Sequence, residues 1–476
     1  MEKINLAPLF DFARHKPQRD EVLPLIRQFA SHDAFRSAVV DELELDEDFY
    51  RRPLRPEDLD FLKFQKAITA ETVSRLPSLA TNRLLLCINE LSVPRMPRDA
   101  AEFERFEQFY ADGNQVAAQR IRPYLESYAF SYLADDTYAQ QGPTGHAAAV
   151  DALFEAQLTH WKDLFAMLLR NDYLEDGLRF ILIQQWALAA SRRLPVERAA
   201  ASGYFASVAP ADRPSLGSGV LDDALLGQVA AMLGVDRKPH SYWQFYLPTS
   251  LAKTNLLHAL GSRPDHAFAL LGASFVAETE WLAFGLALAQ ACPHWVRNSG
   301  PAADAAQLLA DVKARLRRSA DAVQQHNGAA ALYRLGQGLG MAVRLAERAR
   351  WDLGEQLRWL SAIPRYCQWA REIEKRIQAE CPGIDRETFV EPREMCSTTH
   401  VHSDHRLVVI EEGDMLFWGN LGMKLPLATG EMVLIPDGRL HGSTVVSQEC
   451  TYHQPIIPDE WINELLTAAE RPAVPA

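Results

Sequence analysis

Along most of the chain, apolar residues recur at i, i+3, i+4 and i+7, the spacing that lays one face of an α-helix against a core. EVLPLIRQFASHDAFRSAVVDEL (21–43) and AAVDALFEAQLTHWKDLFAMLL (148–169) are two such segments. Proline and glycine interrupt the pattern at DDTYAQQGPTG (135–145), APADRPSLGSG (209–219) and RNSGPAAD (297–304). The first interruption divides an N-terminal helical unit, 1–138, from a longer helical bundle, 139–380. CPGIDRETFVEPRE (381–394) is a linker, after which the period becomes alternating and turn residues arrive at short intervals. That pattern predicts a small all-β unit over 381–476, closed by a helix at PDEWINELLTAAE (458–470). The expected fold class is multidomain α + β.

Composition changes this picture little. A chain of 476 residues with 48% hydrophobic and 23% charged positions has globular proportions and length for about three domains. The net charge of −13 and the lack of a basic stripe argue against nucleic acid and anionic membranes as partners. No run approaches the ~18 consecutive apolar residues of a membrane span, and MEKINLAPLFDFARHKPQRD has no apolar signal core. Cys87, Cys292, Cys367, Cys381, Cys396 and Cys450 form no C-x-x-C pair and read as reduced thiols of a cytoplasmic protein.

The chemistry concentrates in the β unit. THVHSDHRLVVIEEGD holds His400 and His402 at H-x-H spacing, which on an extended chain points both rings to one face. GEMVLIPDGRLHG brings His441 in a G-x5-P-x-G-x2-H arrangement. Together these segments resemble the two-part signature of a cupin, a small β-barrel with a metal at its centre. The usual cupin glutamate falls at Arg406 and the usual asparagine at Val445. A three-histidine site without a carboxylate fits an open-sided iron(II) oxygenase, with about three coordination positions left for O2 and a chelating substrate.

Taken whole, the order of units resembles the N-nitrosourea-forming, streptozotocin-type family of multidomain metalloenzymes. That resemblance implies an N-terminal helical dimerisation domain, a central heme-oxygenase-like diiron domain and a C-terminal mononuclear-iron cupin. HSYWQFYLPTSLAKTNLLHAL followed by ALLGASFVAETEW is similar to the diiron-oxidase helices, with Glu278 in the place of a metal ligand. Elsewhere the ligand pattern departs. In ADAVQQHNG (320–328), Ala320, Gln324 and Asn327 occupy ligand places beside His326. Gln184 and Gln185 stand where a glutamate is expected, and 209–219 lacks the family's glutamate and histidine. Diiron bundles need about six carboxylate and histidine ligands, so the central domain is expected to keep the fold without the diiron centre. A rearranged site using His160, Asp163, Glu278, Glu280 and His326 is the alternative.

By the same resemblance, His400, His402 and His441 hold one Fe(II) per chain, with O2 as co-substrate. The substrate is an N-hydroxylated, nitrogen-rich small molecule of natural-product biosynthesis, undergoing oxidative rearrangement with N–N or N–O bond formation. A cupin dioxygenase that cleaves a C–C bond or oxidises a thiol is a rival reading, and the quaternary expectation is a homodimer. Candidate catalytic residues come from strand parity. Arg406 shares the parity of His400 and His402; it is expected either to bind a substrate carboxylate or to pair at the rim with Asp404 or Glu411. Of Phe417 and Trp418 one should wall the pocket, and Trp418 is the candidate. Tyr452 and His453 alternate, and either is a candidate hydrogen-bonding group.

Overall fold

The computed structural model describes residues 6–30, 76–91, 110–134, 136–216, 223–235, 244–293, 304–393, 399–402, 404–419 and 423–470, with a few isolated positions between them. Residues 31–43 of the first amphipathic segment, and Cys396, lie outside these. The helices are α1 (Arg19–Ala30), α2 (Leu76–Glu90), α3 (Asp112–Phe130), α4 (Pro143–Arg170), α5 (Leu174–Leu182), α6 (Ala189–Ala201), α7 (Asp223–Met232), α8 (Pro248–Gly261), α9 (Ala267–Ala291), α10 (Ala305–Leu360) and α11 (Ile363–Glu380). Strands β1 (Thr388–Pro392), β2 (His405–Glu412), β3 (Asp414–Trp418), β4 (Lys424–Ala428), β5 (Met432–Ile435), β6 (Gly442–Val445), β7 (Glu449–His453) and β8 (Ile456–Ile457) follow, then helix α12 (Asp459–Glu470).

The sequence breaks act as helix starts. Pro143 opens α4 at a position whose N–H has no intrahelical partner to lose. Asp304 caps α10 by accepting from Ala306 N at 3.0 Å and Gln307 N at 3.4 Å. The core of the bundle is α4, α9 and α10 packed together. Helix α9 is buried nearly all round. The stretch Pro264–Ala291 is long and apolar enough to cross a membrane by length and composition, but 83% of its apolar window is buried within the protein. It reads as a core helix. Glycines let it approach α10 closely: a Cβ on Gly338 would stand 1.9 Å from Ala269 O, and one on Gly272 2.1 Å from Leu335 O. Helix α10 is interrupted at Gly328, whose φ of 85° and ψ of 178° suit glycine alone.

The strands form two antiparallel sheets curled into a half-barrel. One runs β1-β7-β2-β5, with β8 also on β2, and the other runs β4-β3-β6. The β unit packs directly on the helices. Helix α11 lies on β5, and Trp359, near the end of α10, donates from Nε1 to Leu434 O at 3.2 Å. The closing helix α12 docks on α11, where Arg376 reaches Glu464 at 2.6 Å and lies 4.2 Å above the Trp461 ring.

Candidate metal centre

His400 and His441 face each other as an isolated antiparallel bridge. His400 N donates to His441 O at 2.9 Å and His441 N to His400 O at 3.1 Å. Directly opposed residues of such a pair project to the same side, and His402 follows at i+2. The three rings therefore converge, with centroids 4.7, 4.5 and 5.0 Å apart. One ring nitrogen from each lies within 4.8 Å of the others, and this is the only such group of three or more potential ligands among the described residues. His400 Nε2 and His402 Nε2 stand 3.2 Å apart. Two nitrogens at ~2.1 Å from one ion and at right angles around it would be about 3.0 Å apart, so the spacing suits a shared cation.

The electrostatics favour neutral imidazoles, the form that ligates. Burial first, then the neighbouring His400 and His441 and the Arg406 guanidinium, hold His402 well below the usual imidazole range. His441, 2% exposed, is pushed down by burial and then by His400. Its Nδ1 lies 2.8 Å from Arg439 O. A carbonyl only accepts, so Nδ1 carries the proton and Nε2 presents a lone pair to the cluster.

The pocket wall corrects one expectation. Phe417, not Trp418, stacks on the His441 ring, at 5.3 Å and 21°. Adjacent strand residues point to opposite faces, so Trp418 turns towards Phe245, 6.1 Å away, and lies over Gly442. Arg406 has its fork on Glu387 and on Gln454 O, the latter at 3.1 Å, so its acidic partner is neither Asp404 nor Glu411. Its buried Nε has no partner. His453 is engaged at both nitrogens, with Thr388 at 2.9 Å and Glu411 at 3.1 Å, and is turned away from the cluster. Tyr452 stacks on Phe389 of edge strand β1, at 5.3 Å and 19°. The structure therefore does not bring Trp418, Tyr452 or His453 to the three histidines.

Two backbone segments of the site are held by side chains that no sequence motif marks. Gln356 of α10 donates from Nε2 to Leu440 O at 2.9 Å and accepts from Leu440 N at 2.8 Å. Arg83 of α2 donates to Thr399 O and Oγ1, both at 2.7 Å. Gln244 Oε1 accepts from Thr399 N at 3.0 Å. These partners lie 84, 316 and 155 residues apart in the chain.

In the bundle, the would-be ligands meet protein cations. Glu278, 4% exposed, accepts from Arg315 Nη2 at 2.5 Å and Nη1 at 3.1 Å. Arg315 also donates to Arg213 O at 3.0 Å, so the 209–219 loop completes an arginine site. Glu280 pairs with Lys253 at 2.9 Å. Gln184 and Gln185 lie on a π-helical turn, Ile183–Ala187. Gln184 bonds Phe245 O at 2.7 Å and Leu247 N at 3.0 Å, while Gln185 bonds Arg192 at 3.2 Å. Asp163 and His326 are exposed. The alternative cluster of His160, Asp163, Glu278, Glu280 and His326 is not assembled.

No family model matches the chain. It is 28% identical over 426 residues to nitrosourea synthase of Streptomyces achromogenes subsp. streptozoticus, spanning 85% of this chain and 88% of that protein. A similarity that spans most of both chains agrees with the resemblance to the N-nitrosourea-forming family read from the motifs.

Proposed function

We propose that this protein is a mononuclear non-heme iron oxygenase of natural-product biosynthesis, acting with O2 on an N-hydroxylated, nitrogen-rich small molecule. The observation that carries the reading is the convergence of His400, His402 and His441, each offering a ring nitrogen within 4.8 Å of the others. These residues would hold one iron(II) per chain, which when bound would supply redox chemistry towards O2 and a chelating substrate.

The chain's own residues supply orientation and shelter. Arg439 O fixes the His441 tautomer. Phe417 covers one face of the His441 ring and keeps water from it. The part proposed for Arg406, whose fork is engaged by Glu387 and Gln454 O, is to add positive charge beside His402. Tyr452 and His453 are assigned structural parts in the barrel instead.

In this reading the units 1–138, 139–380 and 381–476 are a dimerising domain, a heme-oxygenase-like scaffold and the catalytic cupin of a cytoplasmic homodimer. Arg315 and Lys253 supply the positive charge that two irons would otherwise bring to Glu278 and Glu280, which supports a scaffold without a diiron centre. Hydroxylation of the substrate nitrogen then belongs to another enzyme.

The test is metal analysis of anaerobically purified protein beside His441→Ala, with turnover assays on a panel of nitrogen-rich amines and their N-hydroxylated forms. About one iron per chain is expected in the wild type and almost none in the variant. Turnover should be confined to the hydroxylated compounds. About three irons per chain, or conversion of an unhydroxylated amine, would overturn the reading.

A further inference from the structure

We propose that Gln356, Gln244 and Arg83 are positioning residues for the histidine cluster, so that the helices brace the backbone on which His400 and His441 are paired. The inference rests on the metal-site reading above.

His400 and His402 do not lie on a regular strand. Their segment pairs with the barrel through Arg393 N donating to Gln448 O at 2.8 Å, Val445 N to Met395 O at 3.0 Å, Ser397 N to Ser443 O at 2.9 Å, the His400–His441 bridge, and Gly438 N to His402 O at 2.9 Å. Those bonds set the register of the segment on the barrel, but among the described residues none of these backbone bonds engages Thr399. The residue before His400 is instead gripped from the helical side. Thr399 is fully buried, its carbonyl and hydroxyl take Arg83, and its N–H and hydroxyl meet Gln244.

The second ligand segment is held in the same way. Leu440, also fully buried, immediately precedes His441, and its N–H and C=O both bond the Gln356 amide. That amide does for Leu440 what a neighbouring strand would do. In extended chain, successive side chains point to opposite faces. Thr399 and Leu440 can thus be held by the helices while His400 and His441 project the other way.

Helix α10 adds a second grip one turn on, where Trp359 bonds Leu434 O and presents its ring edge to Phe417. Gln356 and Trp359 are three residues apart and share a helix face. A rotation or shift of α10 would therefore reach His441 through its own backbone. Partners beyond the ligands themselves commonly change metal affinity about 10–100-fold when removed.

The experiment is cobalt(II) binding to the full-length metal-free protein, read by chelator competition and by the visible ligand-field spectrum. The proteins compared are wild type, Gln356→Leu, Arg83→Met, Gln157→Leu and His441→Ala. Gln157 is a buried bundle glutamine bonded to Glu280 at 3.3 Å and serves as the control for lost stability. We expect Gln356→Leu and Arg83→Met to bind cobalt about tenfold or more weakly with an altered spectrum, and Gln157→Leu to keep wild-type affinity and spectrum.

Wild-type affinity and spectrum in Gln356→Leu would overturn the proposal, as would losses no larger than in Gln157→Leu. Should Gln356→Leu fail to fold, Gln356→Glu, which keeps the acceptor for Leu440 N and removes the donor to Leu440 O, is read against the same criteria. Failure of the wild type to bind cobalt, or full binding by His441→Ala, would instead refute the underlying metal-site reading.

Discussion

Arg315 grips both carboxylate oxygens of Glu278, at 2.5 and 3.1 Å, in the interior of the helical bundle. A bidentate guanidinium fills the same lone pairs that a metal would use. Removing one partner of such a pair strands a buried charge and costs about 3–5 kcal/mol. Arg315→Met should show that loss in denaturant unfolding. Glu278→Gln should lose less, and its iron content should equal that of the wild type. A drop in iron on Glu278→Gln would place a metal in the bundle.

Phe417 connects packing to the ligand sphere. It is 1% exposed and packs against both the His441 ring and Trp359, which also meet each other at 6.4 Å. Phe417→Ala should destabilise the fold by about 3–5 kcal/mol through the cavity it leaves. It should also weaken metal binding, because the His441 ring loses its stacking neighbour. Thermal unfolding with and without metal separates the two effects, and undiminished metal affinity would show that the stacking is incidental.

The crossing of α9 and α10 leaves no room for a methyl group. At Gly338 the obstacle is the Ala269 backbone, which cannot swing aside as a side chain can. Gly338→Ala should therefore force the helices apart, with a loss at or above the ~1–3 kcal/mol usual for overpacking. A variant as stable as the wild type in chemical denaturation would contradict the close approach.

Acid should weaken the bundle through its buried histidines. Burial pushes His258 down to about 3, and burial followed by Arg350 and Arg358 pushes His160 down to about 3. Between that value and the ordinary imidazole pKa near ~6.5, the unfolded chain binds protons that the folded chain refuses. Stability from these groups is thus fully present above about pH 6.5 and is lost as pH falls towards 3. Glu126, raised to about 7 by burial, works in the opposite sense: between its ordinary value and 7 the folded chain holds the extra proton. The comparison is therefore with His258→Gln, which should lose about 2 kcal/mol less between pH 7 and 5 than the wild type. Parallel stability curves for the two proteins would show that His258 titrates normally.

The helical period, the proline and glycine breaks between helices and the switch to alternation after 381–394 were all legible along the chain, because each is a local consequence of side-chain spacing and backbone chemistry. Residues 31–75 lie outside the described residues, and expectations for that stretch stand as they were. The histidine trio was legible for a related reason: H-x-H on extended chain and a glycine-proline turn ahead of His441 leave the rings few other places to point. Strand parity at Phe417 and Trp418 was legible too, but parity only says that the two differ. Which one faces His441 depends on where β3 sits between β4 and β6.

What the sequence by itself determined was therefore the local periodicity and the inventory of ligand atoms. The tertiary structure decided the partners. Glu278 is written as a plausible ligand and becomes the counter-ion of Arg315, because α10 brings the guanidinium to it and the loop before α7 holds that guanidinium through Arg213 O. Gln356 and Arg83 are unremarkable in sequence and become clamps, because α10 and α2 deliver them to Leu440 and Thr399. Such pairings across 84 and 316 residues have no periodic signature. They arise only when the long chain closes and each buried backbone polar group must find a partner.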